Sequence, residues 1–243
     1  YEHIFCEYFR KGYAMALFAI GDPHLSLATG KSMNIFGGWT DYEKRLENNW
    51  RRLVREDDTV VIAGDISWCM NLEQGLKDFE FLDSLPGKKI ILKGNHDYWW
   101  ATKKKSDEFF EKHSLTTLNI LHNNAYTAGD FAICGTRGWF FEEERSSDHD
   151  GKVFNRELIR LETSLKSAGD MRKIVFLHYP PKYKGYECLP ILELLKKYDV
   201  RQCFYGHLHG ASHGLALEGQ WNGIEYRLAS ADRLNFKPIL VLP

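Results

Sequence analysis

The stretch Thr59-Val60-Val61-Ile62-Ala63-Gly64-Asp65 joins a short apolar run to a Gly-Asp pair. A run of this length, rich in β-branched residues and followed by glycine, is typical of a buried β-strand. The carboxylate behind it would lie at the carboxyl edge of a sheet, where open α/β sheets bind their ligands. Taken alone, the Gly-Asp pair predicts only a turn, because aspartate often shapes the turn after a strand.

The same pattern occurs at four other places along the chain. Apolar runs cover 16–20 before Gly21-Asp22, 89–93 before Gly94-Asn95, 173–177 before His178, and 202–205 before Gly206-His207. Since the carboxyl ends of parallel strands meet at one edge, the polar residues that end these five runs are expected to converge. Five strand ends that all carry metal-type ligands are much harder to explain by turn formation than one.

Amphipathic helical patterns separate the predicted strands. Apolar residues recur at helical spacing from Tyr42, Leu72, Phe154 and Ile191 onward. Thr40 followed by Glu43 predicts a capping box for the first of these helices. Strands that alternate with helices indicate a largely parallel sheet with crossover helices. A hairpin pattern over 124–136 and short strands after Gly214 predict a second sheet with antiparallel strands.

Composition and charge exclude several classes of protein. The 243 residues carry 32 Lys+Arg against 33 Asp+Glu, for a net charge of -1. This near balance gives no strong signal of nucleic-acid binding, and the chain has no apolar stretch of about 18 residues that would predict a membrane helix. The five cysteines are scattered and form no CxxC pair, which predicts reduced thiols and a cytoplasmic location. The oligomeric state is not determined by these features.

The start of the chain resembles a signal peptide, because Arg10-Lys11 precede an apolar run over 14–20. The run is too short for that role and is interpreted as the first β-strand. Residues 1–14 are therefore expected to be an N-terminal extension, and residues 15–243 a single domain.

Seven residues are candidate metal ligands: Asp22, His24, Asp65, Asn95, His178, His207 and His209. Imidazoles and carboxylates without a thiolate suit manganese, iron or zinc better than calcium or magnesium. Seven candidates exceed the four ligands of one tetrahedral site, so two metals with a shared carboxylate are expected.

The order of these motifs resembles the calcineurin-like metallophosphoesterase superfamily. The chain shows Asp-x-His at 22–24, Gly-Asp at 64–65, Gly-Asn-His-Asp at 94–97, a lone His178 and Gly-His-x-His at 206–209. The resemblance implies an α/β fold, a four-layer α-β-β-α sandwich with two mixed β-sheets. It also implies a metal-dependent phosphoesterase with two divalent transition-metal ions, among which manganese is favoured.

The resemblance further implies a role for each ligand. One metal would be held by Asp22, His24 and His209, and the other by Asn95, His178 and His207. Asp65 would bridge the two metals. A hydroxide that bridges them would then attack the phosphate. His96 is the candidate proton donor to the leaving group, with Asp97 orienting its ring, and the alternative for His96 is to hold a substrate oxygen.

Departures from the protein phosphatase pattern indicate the substrate. That pattern has an arginine shortly after the bridging aspartate, whereas this chain continues Gly-Asp-Ile-Ser-Trp-Cys. Gly-Asn-His-Asp is similar to the phosphodiesterase branch, so a phosphodiester or nucleotide-like phosphate ester is expected. Candidate substrate contacts are Asn95, Arg137 and Tyr179. The alternatives are a phosphomonoesterase, acting on small molecules or on phosphoproteins, and a scaffold of the same fold without catalysis.

Overall fold

A computed structural model describes residues 15–139 and 148–243, with the side chains of 148–150 left outside that description. The predicted extension over residues 1–14 falls outside the described part of the chain. The described residues form two β-sheets that face each other, with helices on the two outer faces.

The first sheet has five strands. They are β1 (Leu17–Ile20), β2 (Thr59–Ile62), β3 (Lys88–Ile91), β4 (Leu118–Ile120) and β13 (Ile239–Leu242), in the spatial order β13-β1-β2-β3-β4. Strands β1 to β4 are parallel, and β13 pairs antiparallel with β1. All residues of β1 and β2 are buried, because both faces of this sheet are covered, and this explains their continuous apolar sequences.

The second sheet has six strands. They are β5 (Tyr126–Ala128), β6 (Phe131–Thr136), β7 (Arg172–Leu177), β10 (Gln202–Tyr205), β11 (Gly219–Trp221) and β12 (Ile224–Leu228), in the order β11-β12-β10-β7-β6-β5. The four inner strands are parallel, and the outer strands β5 and β11 are antiparallel to their neighbours. The hairpin predicted over 124–136 is confirmed as β5 and β6. A separate two-stranded hairpin joins β8 (Lys182–Tyr183) to β9 (Tyr186–Glu187).

In the described part of the chain, five α-helices cover the outer faces of the two sheets. They are α1 (Tyr42–Leu53), α2 (Leu76–Ser84), α3 (Lys103–Lys112), α4 (Asp148–Ser167) and α5 (Leu189–Lys197), and a short 3-10 helix spans Gly210–Leu215. The first three pack on the first sheet through residues such as Trp50, Phe79 and Phe109. Helices α4 and α5 pack on the second sheet through Leu161 and Leu195.

A third cluster of buried residues fills the space between the sheets. Val61 and Ile90 from the first sheet meet Ile174, Phe176 and Phe204 from the second. The order of layers is therefore helix, sheet, sheet, helix, with apolar contacts at each boundary. This confirms the four-layer α-β-β-α sandwich with two mixed sheets.

Helix α1 begins differently from its prediction. The N-cap residue is Asp41, whose backbone is left-handed (φ 51°), rather than Thr40. The predicted capping box is wrong, because that motif requires the threonine itself at the N-cap. The carbonyl of Thr40 instead lies 3.4 Å from Nη1 of Arg45, which also donates to the carbonyl of Gly38.

The described cysteines Cys69, Cys134, Cys188 and Cys203 are free and buried. Among the helices that the structure describes, none is long and apolar enough to span a membrane.

Candidate metal centre and active site

The seven predicted ligands lie at the carboxyl edges of the two sheets. Asp22 and His24 follow β1, Asp65 follows β2, Asn95 follows β3, His178 follows β7, and His207 and His209 follow β10. Four of them come from the first sheet and three from the second, so the site lies where the two sheets meet. The convergence expected from the strand ends is present.

Four of these seven residues adopt the left-handed backbone conformation, which is uncommon for residues with a side chain. Their φ angles are 54° at Asp22, 45° at His24, 52° at Asp65 and 73° at His207. Such conformations cost on the order of 1–3 kcal/mol each and cluster at functional sites. The surrounding sheets therefore hold these turns in a geometry that the isolated segments would avoid.

Glycines in the same motifs allow a very close approach between strand ends. A Cβ atom on Gly94 would lie 2.1 Å from Oδ1 of Asp65, and one on Gly206 would lie 2.4 Å from Oδ2 of Asp22. No side chain fits at such distances. The glycines of the Gly-Asn and Gly-His motifs are thus needed so that neighbouring loops can pack against the two carboxylates.

Asp22, His24 and His209 form the first cluster, in which one ligand atom from each residue lies within 4.8 Å of the others. Nε2 of His24 and Nε2 of His209 are 3.3 Å apart, and Nε2 of His209 is 3.9 Å from Oδ1 of Asp22. Burial opposes protonation of His209, but Asp232 and Asp22 outweigh it and raise the pKa of His209 to about 9, so its Nε2–H faces Nε2 of His24. A divalent cation would take the place of this proton between the two nitrogens, so the residues fit a metal.

Asp22 and Asp65 join His178 in a second cluster of the same size. Oδ2 of Asp65 lies 3.6 Å from Nε2 of His178 and 3.7 Å from Nε2 of His24. The carboxylate of Asp65 is thus almost equally far from an imidazole of each cluster, as a bridging ligand would be.

Asn95 and His207 adjoin the second cluster. Oδ1 of Asn95 is 2.6 Å from Nε2 of His178 and 3.0 Å from Nδ1 of His207. The structure therefore brings together the three residues expected around the second metal.

The electrostatics of the site suit metal ligands. Burial lowers the pKa of His178 to about 3 and that of His207 to about 2, and it holds the pKa of His24 well below its usual value. These imidazoles are therefore neutral near pH 7, as a metal ligand must be. Burial, partly opposed by His209, raises the pKa of Asp22 to about 8. Two buried carboxylates side by side are costly without a cation, which again fits a metal.

Hydrogen bonds behind the histidines fix their rings. Nδ1 of His178 lies 3.0 Å from the carbonyl oxygen of Ala63, and Nδ1 of His209 lies 2.9 Å from Oδ1 of Asp232. In each case Nδ1 is engaged, so Nε2 is left for the site. Asp232 is a residue that sequence reasoning missed. Its only signal is a carboxylate a few residues after β12, a strand that the sequence indicated without defining its limits.

His96 lies at the edge of the same site. Its backbone N–H donates to Oδ1 of Asp65 at 2.7 Å. The centroid of its ring is 4.8 Å from that of Trp68, and the hydroxyl oxygen of Tyr98 is 3.4 Å from Nδ1. The partly buried imidazole thus packs against the ring of Trp68, and the hydroxyl group of Tyr98 is within hydrogen-bonding distance of its Nδ1 atom.

Asp97 has a different place from the one predicted. This buried carboxylate accepts from the backbone N–H of Ile66 at 2.7 Å, of Asp65 at 2.9 Å and of Gly94 at 2.7 Å. The prediction that Asp97 orients the ring of His96 is wrong, because its oxygens bind backbone N–H groups of the loops after β2 and β3. Asp97 instead ties these two loops together.

Arg137 and Tyr179, the other candidate substrate contacts, lie beside His178. The carbonyl oxygen of Arg137 accepts from the backbone N–H groups of His178 at 3.1 Å and Tyr179 at 2.9 Å. The ring of Tyr179 contacts that of His207 edge-on, with centroids 4.5 Å apart. Both residues adjoin the second cluster, and their contact with substrate stays a prediction.

A cavity of about 390 Å³ adjoins the first cluster. Its walls include three histidines of the site and a group of large apolar side chains: His24, His96, His209, Met33, Phe36, Trp39 and Trp68. We call it the apolar cavity. Its size is that of a site for a small organic group.

Comparison with known sequences identifies the family. Residues 15–211 match the family described as calcineurin-like phosphoesterase. The glycerophosphodiester phosphodiesterase GpdQ of Enterobacter lignolyticus (strain SCF1) is 27% identical over 170 residues, which cover 69% of this chain and 57% of GpdQ. The chain thus spans little more than half the length of that relative.

Solved structures show the same fold at low sequence identity. The phosphopantetheinyl hydrolase PptH of Mycobacterium tuberculosis matches with a TM-score of 0.58 and 15% identity, over 96% of this chain and 97% of PptH. TT1561 of Thermus thermophilus matches with a TM-score of 0.56 and 12% identity, over 95% and 99% of the two chains. AQ665 of Aquifex aeolicus, a protein of unknown function, matches with a TM-score of 0.51 and 19% identity, over 93% of this chain and 95% of AQ665. With this fold and a family match over most of its length, the chain belongs to the calcineurin-like phosphoesterases, a family of metal-dependent enzymes that hydrolyse phosphate esters.

Proposed function

We propose that residues 15–243 form a single catalytic domain that hydrolyses a phosphodiester at a dinuclear metal centre, with His96 as the proton donor. The observation that carries the proposal is the position of Asp65, whose Oδ2 lies 3.7 Å from Nε2 of His24 and 3.6 Å from Nε2 of His178. One carboxylate within reach of an imidazole from each cluster suits two metals rather than one.

The proposed division of ligands between the two metals is the one that the resemblance to the family implies. Asp22, His24 and His209 would hold one metal, Asn95, His178 and His207 the other, and Asp65 both. Two divalent metals of this kind supply an activated water and neutralise charge on the phosphoryl oxygens. Manganese is our preferred metal over iron and zinc, since the donors are carboxylate, amide and imidazole without a thiolate.

His96 would donate a proton to the departing oxygen of the ester. Its ring lies next to the loop of Asp65, to which its own backbone N–H is bonded at 2.7 Å. The hydroxyl group of Tyr98, 3.4 Å from Nδ1, can orient the ring so that Nε2 faces the substrate. An imidazole next to a developing oxyanion is well suited to general acid catalysis near neutral pH.

The surroundings of the site favour a diester over a monoester. The loop after Asp65 carries Trp68 instead of the arginine of the protein phosphatase pattern, which disfavours a phosphoprotein substrate. The adjoining apolar cavity of about 390 Å³ suits the second organic group that a diester carries, including a nucleoside. The resemblance to a glycerophosphodiester phosphodiesterase agrees with this preference.

The experiment compares hydrolysis of bis-(p-nitrophenyl) phosphate and p-nitrophenyl phosphate with added Mn²⁺, with Asp65→Asn as the control. We expect preferential cleavage of the diester, lost in the variant. Preference for the monoester would replace the proposal with a phosphomonoesterase. Cleavage of neither compound by protein shown to hold two metals would favour a scaffold without catalysis.

A further inference from the structure

A second cavity, of about 450 Å³, shares no lining residue with the apolar cavity. Its polar wall comprises four cations, one imidazole and one carboxylate: Lys93, Lys105, Arg137, Arg160, His122 and Glu157. We call it the basic cavity. Lys93 lies two residues before Asn95, and the carbonyl of Arg137 accepts from the backbone N–H of His178, so the loops that carry the second cluster are connected directly to this cavity.

The positive charge of the basic cavity is only partly balanced. Glu157, which is 2% exposed, bonds to Nη1 of Arg160 and lies 3.6 Å from Nη2 of Arg137. Across residues 15–139 and 148–243, the ammonium groups of Lys93 and Lys105 form no ion pair. Four cationic side chains therefore face one carboxylate.

Arg137 has spare hydrogen-bonding capacity inside this cavity. Its side chain is 15% exposed, and its Nε atom is buried without a hydrogen-bond partner among the described residues. The 3.6 Å separation from Glu157 is too long for a hydrogen bond. A guanidinium has five N–H donors arranged to bind tetrahedral oxyanions in pairs, so an anion in the cavity would satisfy groups that the protein leaves open.

The beginning of helix α3 adds to the positive potential. Thr102, its N-cap residue, and Lys105 both line the cavity. The N-terminal end of this ten-residue helix carries a partial positive charge. Cationic side chains from the loop after β3, from α3, from α4 and from the loop after β6 thus line one cavity.

We infer that the basic cavity binds a second anionic group of the substrate, of the phosphate type, while the scissile ester lies at the metal centre. This inference rests on the proposed phosphodiesterase function and extends it. The substrate would carry an organic group for the apolar cavity and, on the opposite side of the scissile phosphorus, a terminal phosphate for Lys93, Arg137 and Arg160.

The first test measures anion binding without relying on activity. In the metal-loaded protein, the acetylation rates of Lys105 and Lys104 are followed by mass spectrometry, with and without inorganic phosphate at constant ionic strength. Lys104 is an internal control, because its side chain is 85% exposed and pairs with Glu108 outside the cavity. We expect phosphate to slow acetylation of Lys105 several-fold, to leave Lys104 unchanged, and to lose this effect in Arg160→Gln. Equal labelling of Lys105 with and without phosphate would overturn the proposal.

The second test shows whether the anion belongs to the substrate. The p-nitrophenyl ester of thymidine 5′-phosphate is compared with the same ester carrying a 3′-phosphate. We expect kcat/KM to be about tenfold higher for the phosphorylated compound, as one charge-assisted contact would give. The preference should disappear in Arg160→Gln and persist in the matched control Lys104→Gln.

The two tests separate the possible failures. Protection of Lys105 without a substrate preference would make the cavity a site for free phosphate and overturn its role in substrate binding. If neither ester is cleaved, the proposed function fails and the substrate role fails with it, while the labelling experiment still decides whether the cavity binds phosphate.

Discussion

The apolar cavity and the basic cavity are both connected to the candidate metal centre but differ sharply in chemistry. The apolar cavity is lined by side chains such as Trp39 and Phe36, and the basic cavity by Arg137 and Lys93. The first adjoins His24 and His209, and the second is connected to the loops that carry the second cluster. The centre is charged and polar throughout, so it cannot itself distinguish one phosphate ester from another. Under the proposed function, the contrast means that selectivity would reside in these two cavities, which would fix the direction in which an asymmetric substrate binds across the centre.

The largest expected effect comes from removing Asp65, the carboxylate that lies within 3.7 Å of an imidazole from each cluster. Asp65→Asn should reduce hydrolysis of every phosphate ester to background, because both metals lose a ligand. Metal content, measured by elemental analysis, should fall in parallel, while circular dichroism reports whether the fold is kept. A folded variant with wild-type turnover and two metals would exclude Asp65 as the bridging ligand. The two cavities could then no longer be compared as parts of one centre.

The next effect should depend on the leaving group. His96→Gln should slow hydrolysis of diesters with alkoxide leaving groups by about 10²–10⁴-fold, which is the usual contribution of general acid catalysis. The loss should be much smaller for p-nitrophenolate, which departs without a proton. Rates for a series of diesters of increasing leaving-group pKa provide the measurement. An equal loss across the series would instead assign His96 to holding a substrate oxygen.

A smaller effect should distinguish the two clusters. Asp232→Asn should weaken metal binding at the first cluster by about 10–100-fold, as is usual when a partner of a metal-bound histidine is changed. The reason is that Asp232 accepts from Nδ1 of His209 at 2.9 Å and has no contact with His178 among the described residues. Metal titration should show one weakened site and one unchanged site. Two equally weakened sites would mean that the clusters do not bind metal separately.

The smallest effect should concern the apolar cavity alone. Phe36 is 49% exposed, so Phe36→Ala should cost little stability while raising KM several-fold for diesters with an aromatic group. Ile35→Ala is the matched control, because Ile35 is 79% exposed and is not among the residues that line the cavity. Steady-state kinetics on aromatic and small aliphatic diesters would measure the change. If Phe36→Ala and Ile35→Ala behaved alike, the apolar cavity would have no part in binding.

The sequence predicted the convergence of the candidate ligands because each lies within four residues of the end of a strand. Asp65, Asn95 and His178 need only the strand pattern and the parallel order to be placed together. The same reasoning failed for Asp97, since the direction of its side chain depends on which loop N–H groups remain open. The prediction that Thr40 caps helix α1 was wrong for a related reason. The left-handed backbone of Asp41 makes that residue the N-cap, although the local sequence fits a capping box at Thr40.

The basic cavity was beyond sequence reasoning for a different reason. Arg137 was proposed as a single residue, but its neighbours Lys93, Lys105 and Arg160 belong to three other elements. These residues are brought together by the packing of α3 and α4, and no pattern in the amino-acid sequence indicates that they lie close to one another. Asp232 was missed in the same way, because its link to His209 joins two loops of the folded protein.

The division of the candidate ligands between the sheets would couple metal binding to folding. Asp22, His24, Asp65 and Asn95 come from one sheet, and the remaining histidines from the other. Any unfolding step that separates the sheets would dismantle both clusters, so the unfolded chain would hold the metals far more weakly. By mass action, free metal at about 100 times its dissociation constant would add about 2.7 kcal/mol per site to the free energy of unfolding. The metals would thus hold the two sheets together. The concentration of free metal in the cell would then affect the stability of the protein as well as its activity.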